Sequence, residues 1–150
     1  MISAAEYVKR LNTVNNSAVL EGFVDDIVVS DTNTLVDEKI DEFTHGVMPD
    51  GKRIGVYRNA EYALFKQHIN PLAGGYVDLM LMRNFVNGLH LDKLFKRAYI
   101  FNSTDRKTNN LIGKYGIGIL GINQQYWLNR QKEVYRIPFV QMIKNKAKIG

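Results

Sequence analysis

The fold class is indicated most clearly by residues 97–116, which read RAYIFNSTDRKTNNLIGKYG. Residues 97–101 are rich in aromatic and branched side chains, a composition that predicts a β-strand. Ser103 or Thr104 is then a suitable N-cap for a helix over residues 105–115, which Gly116 would end. A strand followed directly by a helix, in a chain of only 150 residues, points to a single small α+β domain.

Helices are predicted for the N-terminal third of the chain. Ser3 and Glu6 have the spacing of a capping box at the start of a first helix, and Ser17 starts a second. Residues 30–34 favour local side-chain hydrogen bonds, so either one long helix passes through them or Thr34 caps a third. Gly46 and the glycines and prolines after it then end the helical part.

The rest of the chain alternates between helix and strand patterns. Residues 60–68 predict a helix with Tyr62, Phe65 and Ile69 on one face, and residues 76–82 resemble a strand. Residues 85–91 are a second strand or a turn into one. A helix is expected around Trp127 over residues 123–130, and Pro138 is expected to open the last helix.

Together these patterns predict an α+β fold in which acidic N-terminal helices pack on a small, mostly antiparallel β-sheet. One middle helix and a C-terminal helix complete it. We expect residues 1–150 to form a single domain, with an acidic helical layer at residues 1–46 and a basic α+β part at residues 47–150.

Charge is divided unevenly along the sequence. Residues 1–50 contain ten acidic and three basic residues, a net charge of −7, whereas residues 51–150 contain five acidic and seventeen basic ones, a net charge of +12. The acidic helices could pack on the basic part of the same chain, or the acidic face could meet the basic face of an identical neighbour and close a ring. The second hypothesis predicts subunit-interface residues Asp25, Asp26, Glu38, Glu42, Arg53 and Arg58.

The sequence contains no convincing catalytic, cofactor or metal motif. Gly116, Gly118 and Gly121 match the dinucleotide pattern G-x-G-x-x-G, but a helix-like segment precedes them and too little chain follows for a nucleotide fold. The three histidines have no metal-ligand spacing, and cysteine is absent. The paired acids at 37–38 and 41–42 are better explained as a solvated helix face than as a cation site. We therefore predict no catalytic residue, no cofactor and no metal.

Membrane insertion and secretion are not expected either. No apolar run approaches the ~18–20 residues that span a bilayer, and the N-terminus has no basic segment followed by an apolar one.

Nucleic-acid contact is a third interpretation of the positive charge. Aromatic and basic residues interleave between Arg53 and Lys66, a pattern found in single-strand binding grooves. Near the C-terminus, Lys144, Lys146 and Lys148 are candidate DNA-facing residues, although a solubilising tail explains them equally well.

Four stretches together resemble a known class of protein: DGKRIGVYRN at 50–59, GYVDLMLMRNF at 75–85, FNSTDRK at 101–107, and LIGKYG at 111–116 with ILGIN at 119–123. Their order is similar to that in small virion proteins of tailed phages, particularly phages of Bacteroidetes-type hosts, and in the neck, or tail-completion, family of head–tail connectors. Met82-Arg83 stands where that family has Thr-Gly, and Pro138-Phe139 matches the start of its last helix.

The resemblance implies a non-enzymatic, ring-forming subunit of the phage neck, located in the virion after synthesis in the host cytoplasm. Its partners would be copies of itself and other virion proteins such as portal and tail, with non-specific DNA contact and no membrane. The alternatives are a DNA-binding accessory protein and a transient virion-morphogenesis protein.

Overall fold

The computed structural model describes residues 2–80, 83–96 and 98–150, and it confirms the α+β class. The α-helices are α1 (Ala4–Asn12), α2 (Ser17–Ser30), α3 (Thr32–Thr44), α4 (Ala60–Ile69), α5 (Asn84–Asn87), α6 (Thr108–Tyr115), α7 (Gln124–Arg130) and α8 (Arg136–Ala147). Strands β1 (Leu89–Phe95) and β2 (Ala98–Ser103) form a two-stranded antiparallel sheet. Short 3₁₀ turns occupy Pro71–Ala73 and Ile117–Leu120, and a π-helical turn occupies Gln131–Tyr135.

The chain divides into two compact units. The terminal unit contains residues 1–31, 95–97 and 125–150, and the central unit contains residues 32–94 and 98–124. The expectation of a single domain, with its boundary at residue 46, stays a prediction.

Local capping explains the helix starts near the N-terminus. The backbone N–H of Glu6 donates to Ser3 Oγ at 3.2 Å, as the capping box predicts. Asn16 caps α2 by accepting from the N–H of Ala18 at 2.9 Å. The helix does not continue unbroken through residues 30–34, and the new helix begins at Thr32 rather than after a Thr34 cap.

Asp31, the residue at the break, is held by side-chain contacts inside the terminal unit. The Asp31 carboxylate accepts from Arg130, with Nε at 3.1 Å, and from the hydroxyl of the buried Tyr135. Burial and the adjacent Asp31 carboxylate raise the pKa of Tyr135, so this hydroxyl keeps its proton.

The core of the terminal unit forms where α1 and α2 meet α8. Phe23 packs edge-on against Phe139, with ring centroids 6.5 Å apart. Val14, Ala147 and Ile149 form a separate buried cluster. These contacts bring both ends of the chain into one unit.

The sequence predicted Pro138 in the first turn of the last helix, and α8 begins two residues before it, at Arg136. Helical backbone runs from Gln124 through the π turn and into α8, so Pro138 is the third residue of α8. Proline lacks the N–H that would donate to the carbonyl four residues earlier, and its ring crowds that carbonyl. The wider π turn directly before α8 is one way in which a helix absorbs such an interruption.

The core of the central unit lies under α3 and the hairpin. Phe43 packs on Phe85 with ring centroids 5.6 Å apart, and Leu35, Phe101 and Ile119 are buried. The strand expected over residues 76–82 is absent from its described part: Tyr76 forms only an isolated bridge with Val56. Leu81 and Met82, including the position that differs from the neck-family pattern, lie outside the described residues, as does Arg97 of the predicted strand.

The ambiguous segment at residues 85–91 contains both a turn and a strand. The short helix α5 covers its first residues, and β1 begins at Leu89. The glycine motif at 116–121 follows helix α6 and forms a 3₁₀ turn, a setting different from the strand-to-helix turn of a nucleotide-binding fold.

Gly46 is a position where glycine is required, which gives a testable prediction. Its φ is +66°, and a Cβ there would lie 2.7 Å from the carbonyl oxygen of Val77. We expect Gly46→Ala to lower the free energy of unfolding by about 2–4 kcal/mol, because left-handed strain and a backbone clash add together. Gly51 has φ +81° but open space around it, so Gly51→Ala should cost only about 1 kcal/mol. Urea unfolding of both variants measures the difference, and equal losses would contradict the clash.

Within the described residues, no helix has both the length and the apolar character needed to cross a membrane.

Candidate interaction surfaces

Helix α4 buries a lysine and exposes its apolar side chains, the reverse of an ordinary surface helix. Lys66 is only 2% exposed, and its Nζ lies 2.5 Å from Asp78 Oδ1. The other carboxylate oxygen of Asp78 accepts from Asn70 Nδ2 at 2.8 Å, so the buried carboxylate is well satisfied. An ion pair therefore anchors α4 to the central unit.

The outward side of α4 presents large apolar residues to solvent. Phe65 and Ile69 are each 51% exposed and Leu64 is 67% exposed. Leu72 on the following 3₁₀ turn is also exposed, and Tyr62 packs on Phe65 with ring centroids 5.9 Å apart. We call these five residues the α4 surface. Clusters of exposed large apolar groups mark binding surfaces in soluble proteins.

The inner edge of the α4 surface is held by Tyr57. Its ring contacts Tyr62 at a centroid distance of 5.0 Å, and its hydroxyl accepts from the backbone N–H of Asp78 at 3.4 Å. Burial raises the pKa of Tyr57 to about 12, so the ring stays neutral at physiological pH. Tyr57 therefore links the exposed rings to the buried ion pair.

Both basic residues predicted for a subunit interface are exposed in the segment that leads into α4. The Arg53 guanidinium lies 4.5 Å from the Tyr76 ring centroid and donates to the carbonyl of His45 at 2.8 Å. Arg58 directly precedes Asn59, the N-cap of α4. The structure thus places an exposed positive charge next to the first residues of α4.

The acidic residues predicted for the same interface have different environments. Asp26 is exposed, and Asp25 and Glu38 are partly buried. Glu42 is buried inside the central unit and cannot be presented to a neighbouring subunit. It was assigned to the wet face of α3 from its spacing, but the structure pairs it with Lys39 one turn earlier.

The Lys39–Glu42 pair is a second buried pair of charges. Lys39 Nζ lies 2.5 Å from Glu42 Oε2, and 5.2 Å and 5.4 Å from the ring centroids of Phe43 and Phe101. Glu42 Oε1 is buried without a hydrogen-bond partner. Burial lowers the pKa of Lys39 and raises the pKa of Glu42, because desolvation disfavours both charged forms.

The basic residues considered for nucleic-acid contact are only partly available. Lys66 is buried in its ion pair, which removes it from the proposed single-strand groove. Lys144, Lys146 and Lys148 are all exposed at the end of α8, where Lys148 ends the helix in a left-handed conformation. The carbonyl of Lys148 accepts from Arg10 Nη1 at 2.7 Å, which ties this end to α1.

The described residues contain no group of three or more histidine and acidic side chains arranged to hold a metal ion. Comparisons with protein-family models, with curated proteins and with solved structures found no match to this chain.

Proposed function

We propose that this protein is a non-enzymatic structural subunit that assembles with copies of itself through the α4 surface. The observation that carries the proposal is the inverted helix α4, which buries Lys66 and exposes Leu64, Phe65 and Ile69. Leaving these side chains in water forgoes the free energy of burying them, and a partner recovers it. Large aromatic side chains such as Phe65 and Tyr62 are typical anchors of protein interfaces.

The occupant that we assign to the α4 surface is a second copy of the chain. Arg53 and Arg58 are exposed in the segment that precedes α4, and the same chain carries the exposed Asp26 and the partly exposed Glu38. A contact between the α4 surface of one subunit and acidic residues of the next is heterologous, and such contacts generate rings when the rotation closes. Complementary charge would steer and orient the encounter.

The resemblance of four sequence stretches to phage neck proteins extends this proposal to a ring in the head–tail connector region of a virion. Such a ring would contact portal and tail proteins through other faces. Mass spectrometry of purified phage particles tests this part, because a neck subunit is retained in the particle. Absence from particles would contradict the neck assignment and favour a transient morphogenesis factor.

Self-assembly is tested by the native mass of the purified protein at two salt concentrations. We expect light scattering to give a multiple of the 17.2 kDa chain mass at about 50 mM NaCl and a smaller mass at about 500 mM, because salt screens the charged contacts. The double variant Phe65→Gln/Ile69→Gln should be monomeric at both concentrations. Ile137→Gln is the matched control, because Ile137 is 75% exposed on α8 and its loss should leave the mass unchanged.

The electrostatic part is tested separately by Asp26→Lys/Glu38→Lys, which should lower the mass without unfolding the monomer. A wild-type protein that is monomeric at both salt concentrations would contradict spontaneous assembly through the α4 surface.

A second candidate, a DNA-binding accessory protein, is favoured by the three exposed lysines at the end of α8. It predicts retardation of DNA at about 50 mM salt that disappears at about 500 mM, since phosphate contacts release counterions. Substitution of Lys144, Lys146 and Lys148 by glutamine should abolish it, and no retardation at the lower salt concentration would exclude it.

A further inference from the structure

A groove of about 400 Å³ lies within the terminal unit, between α2 and the helical run at the C-terminus. Its floor is apolar: Val24 and Ile27 come from α2, Trp127 from α7 and Phe139 from α8. Lys132 and Arg136 also line the groove, where the π turn passes into α8. The volume falls within the range of about 300–1,000 Å³ that small-molecule sites occupy.

The backbone of the groove wall is unusual. The π turn at Gln131–Tyr135 supplies part of this wall, including Lys132. π-Helical turns make up well under 1% of residues and occur often at functional sites. Tyr135, the last residue of the turn, is fixed by its ring contact with Trp127 at 5.7 Å between centroids and by its hydrogen bond to Asp31. The wall is therefore held in place before any ligand binds.

The charged residues around the groove favour a ligand of negative charge. Arg130 forms an ion pair with Asp31, whose carboxylate also accepts a hydrogen bond from the hydroxyl of Tyr135. Lys132 and Arg136 are exposed and form no ion pair within the part of the chain that the structure describes. Two cations therefore line the groove beside its apolar residues, and neither is engaged in an ion pair among the described residues.

The neighbouring recess disfavours a ligand with a second anionic group. A smaller recess of about 110 Å³ shares Val24 and Phe139 with the groove and is lined by Ser17 and Glu21. The carboxylate of Glu21 disfavours a second anionic group there, whereas an apolar tail can rest on Val24 and Phe139.

We propose that this groove binds a small amphipathic carboxylate, an aliphatic chain of the medium-chain fatty acid type with its carboxylate at Lys132 and Arg136. The apolar chain covers Trp127 and Phe139 and removes their faces from water. The carboxylate forms charge-assisted hydrogen bonds with the two cations, and the planar Arg136 guanidinium can bind it in a bidentate manner. This site is independent of the α4 surface and of the assembly proposed for it.

Trp127 is the only tryptophan of the chain, so its fluorescence reports on the groove directly. The probe is dodecanoate below its micelle concentration, and dodecyltrimethylammonium is the comparison, with the same chain length and the opposite charge. We expect a saturable change in Trp127 emission with dodecanoate and binding of the cationic probe at least about tenfold weaker, since one charge-assisted contact is worth that factor or more. Circular dichroism should show an unchanged fold throughout the titration.

Two double variants test whether Lys132 and Arg136 bind the carboxylate of the ligand. Lys132→Gln/Arg136→Gln should weaken dodecanoate binding by about tenfold or more, and both side chains are exposed, so folding is preserved. Lys144→Gln/Lys146→Gln removes the same charge from α8 outside the groove and should change binding less than about twofold. An absence of saturable emission change, equal binding of both probes, or equal effects of the two variants would overturn the proposal.

Discussion

Replacement of Lys66 by methionine is expected to lower the free energy of unfolding by about 3–5 kcal/mol. Methionine keeps the length and apolar stem of the lysine but removes the ammonium group 2.5 Å from Asp78. The Asp78 side chain is fully buried, so its carboxylate would stay in the core with the Asn70 amide as its remaining side-chain donor. Urea unfolding followed by far-UV circular dichroism measures the loss, together with the fraying of α4.

Lys52→Met is the matched control for this prediction. Lys52 Nζ lies 3.4 Å from Asp50, but its side chain is 83% exposed, so water solvates Asp50 when the cation is removed. Exposed ion pairs of this kind contribute about 0–1 kcal/mol. Similar losses for Lys66→Met and Lys52→Met would show that the Lys66 pair is solvated and that α4 is not anchored through it.

The sequence predicted α4 itself well but could not predict which side of it is buried. Tyr62, Phe65 and Ile69 have helical spacing, and the structure confirms that they share one helix. Apolar residues on one face normally point inward, and a lysine is almost never fully buried without a partner. The partner, Asp78, is twelve residues away on a non-helical segment, so only the tertiary structure brings the two charges together.

The groove of the terminal unit could not be predicted from the sequence for a similar reason. A helix around Trp127 was expected and is present as α7. The sequence did not predict, however, that helical backbone runs from α7 into α8, because a proline inside a helix is unfavourable and the π turn that accommodates it is too rare to predict. The wall carrying Lys132 and Arg136 depends on that turn, so the local pattern of residues 124–139 did not reveal a site.

The spacing of charged residues in α3 is consistent with a solvated face and also with an ion pair inside the helix. Glu38 and Glu42 were assigned to a wet face because they lie four residues apart. Lys39 precedes Glu42 by three residues, which is also a favourable spacing for an intrahelical pair. What the spacing could not show is that Phe43 and Phe101 enclose this pair in the core.

Loss of the lysine from the enclosed Lys39–Glu42 pair should strongly destabilise the protein. Lys39→Met is expected to cost about 3–5 kcal/mol at pH 7, because Glu42 would remain buried with no cation beside it and with one carboxylate oxygen already lacking a hydrogen bond. The double variant Lys39→Met/Glu42→Leu removes both charges. It should recover most of the stability, since apolar replacement of a buried pair is often neutral or stabilising.

The loss in Lys39→Met should depend on pH with a definite sign. Burial raises the pKa of Glu42 above its ordinary 4.5, and removal of Lys39 removes an interaction that lowers it. Above pH 4.5 the unfolded chain releases the Glu42 proton while the folded chain retains it, so the folded state binds more protons. Stability must then fall as pH rises through this window, by up to about 1.4 kcal/mol per pH unit.

Unfolding midpoints from pH 4.5 to pH 8 distinguish this origin from simple loss of packing. Burial also raises the pKa of Glu38. Because Glu38 is present in both variants, its contribution cancels in the difference between their stabilities. The single variant should therefore lose stability relative to the double variant as pH rises above 4.5. The difference should become independent of pH once the pH is low enough for Glu42 to be protonated in both the folded and the unfolded chain. Parallel pH profiles would mean that Glu42 reaches water once Lys39 is gone, and that α3 is held by the packing of Phe43 alone.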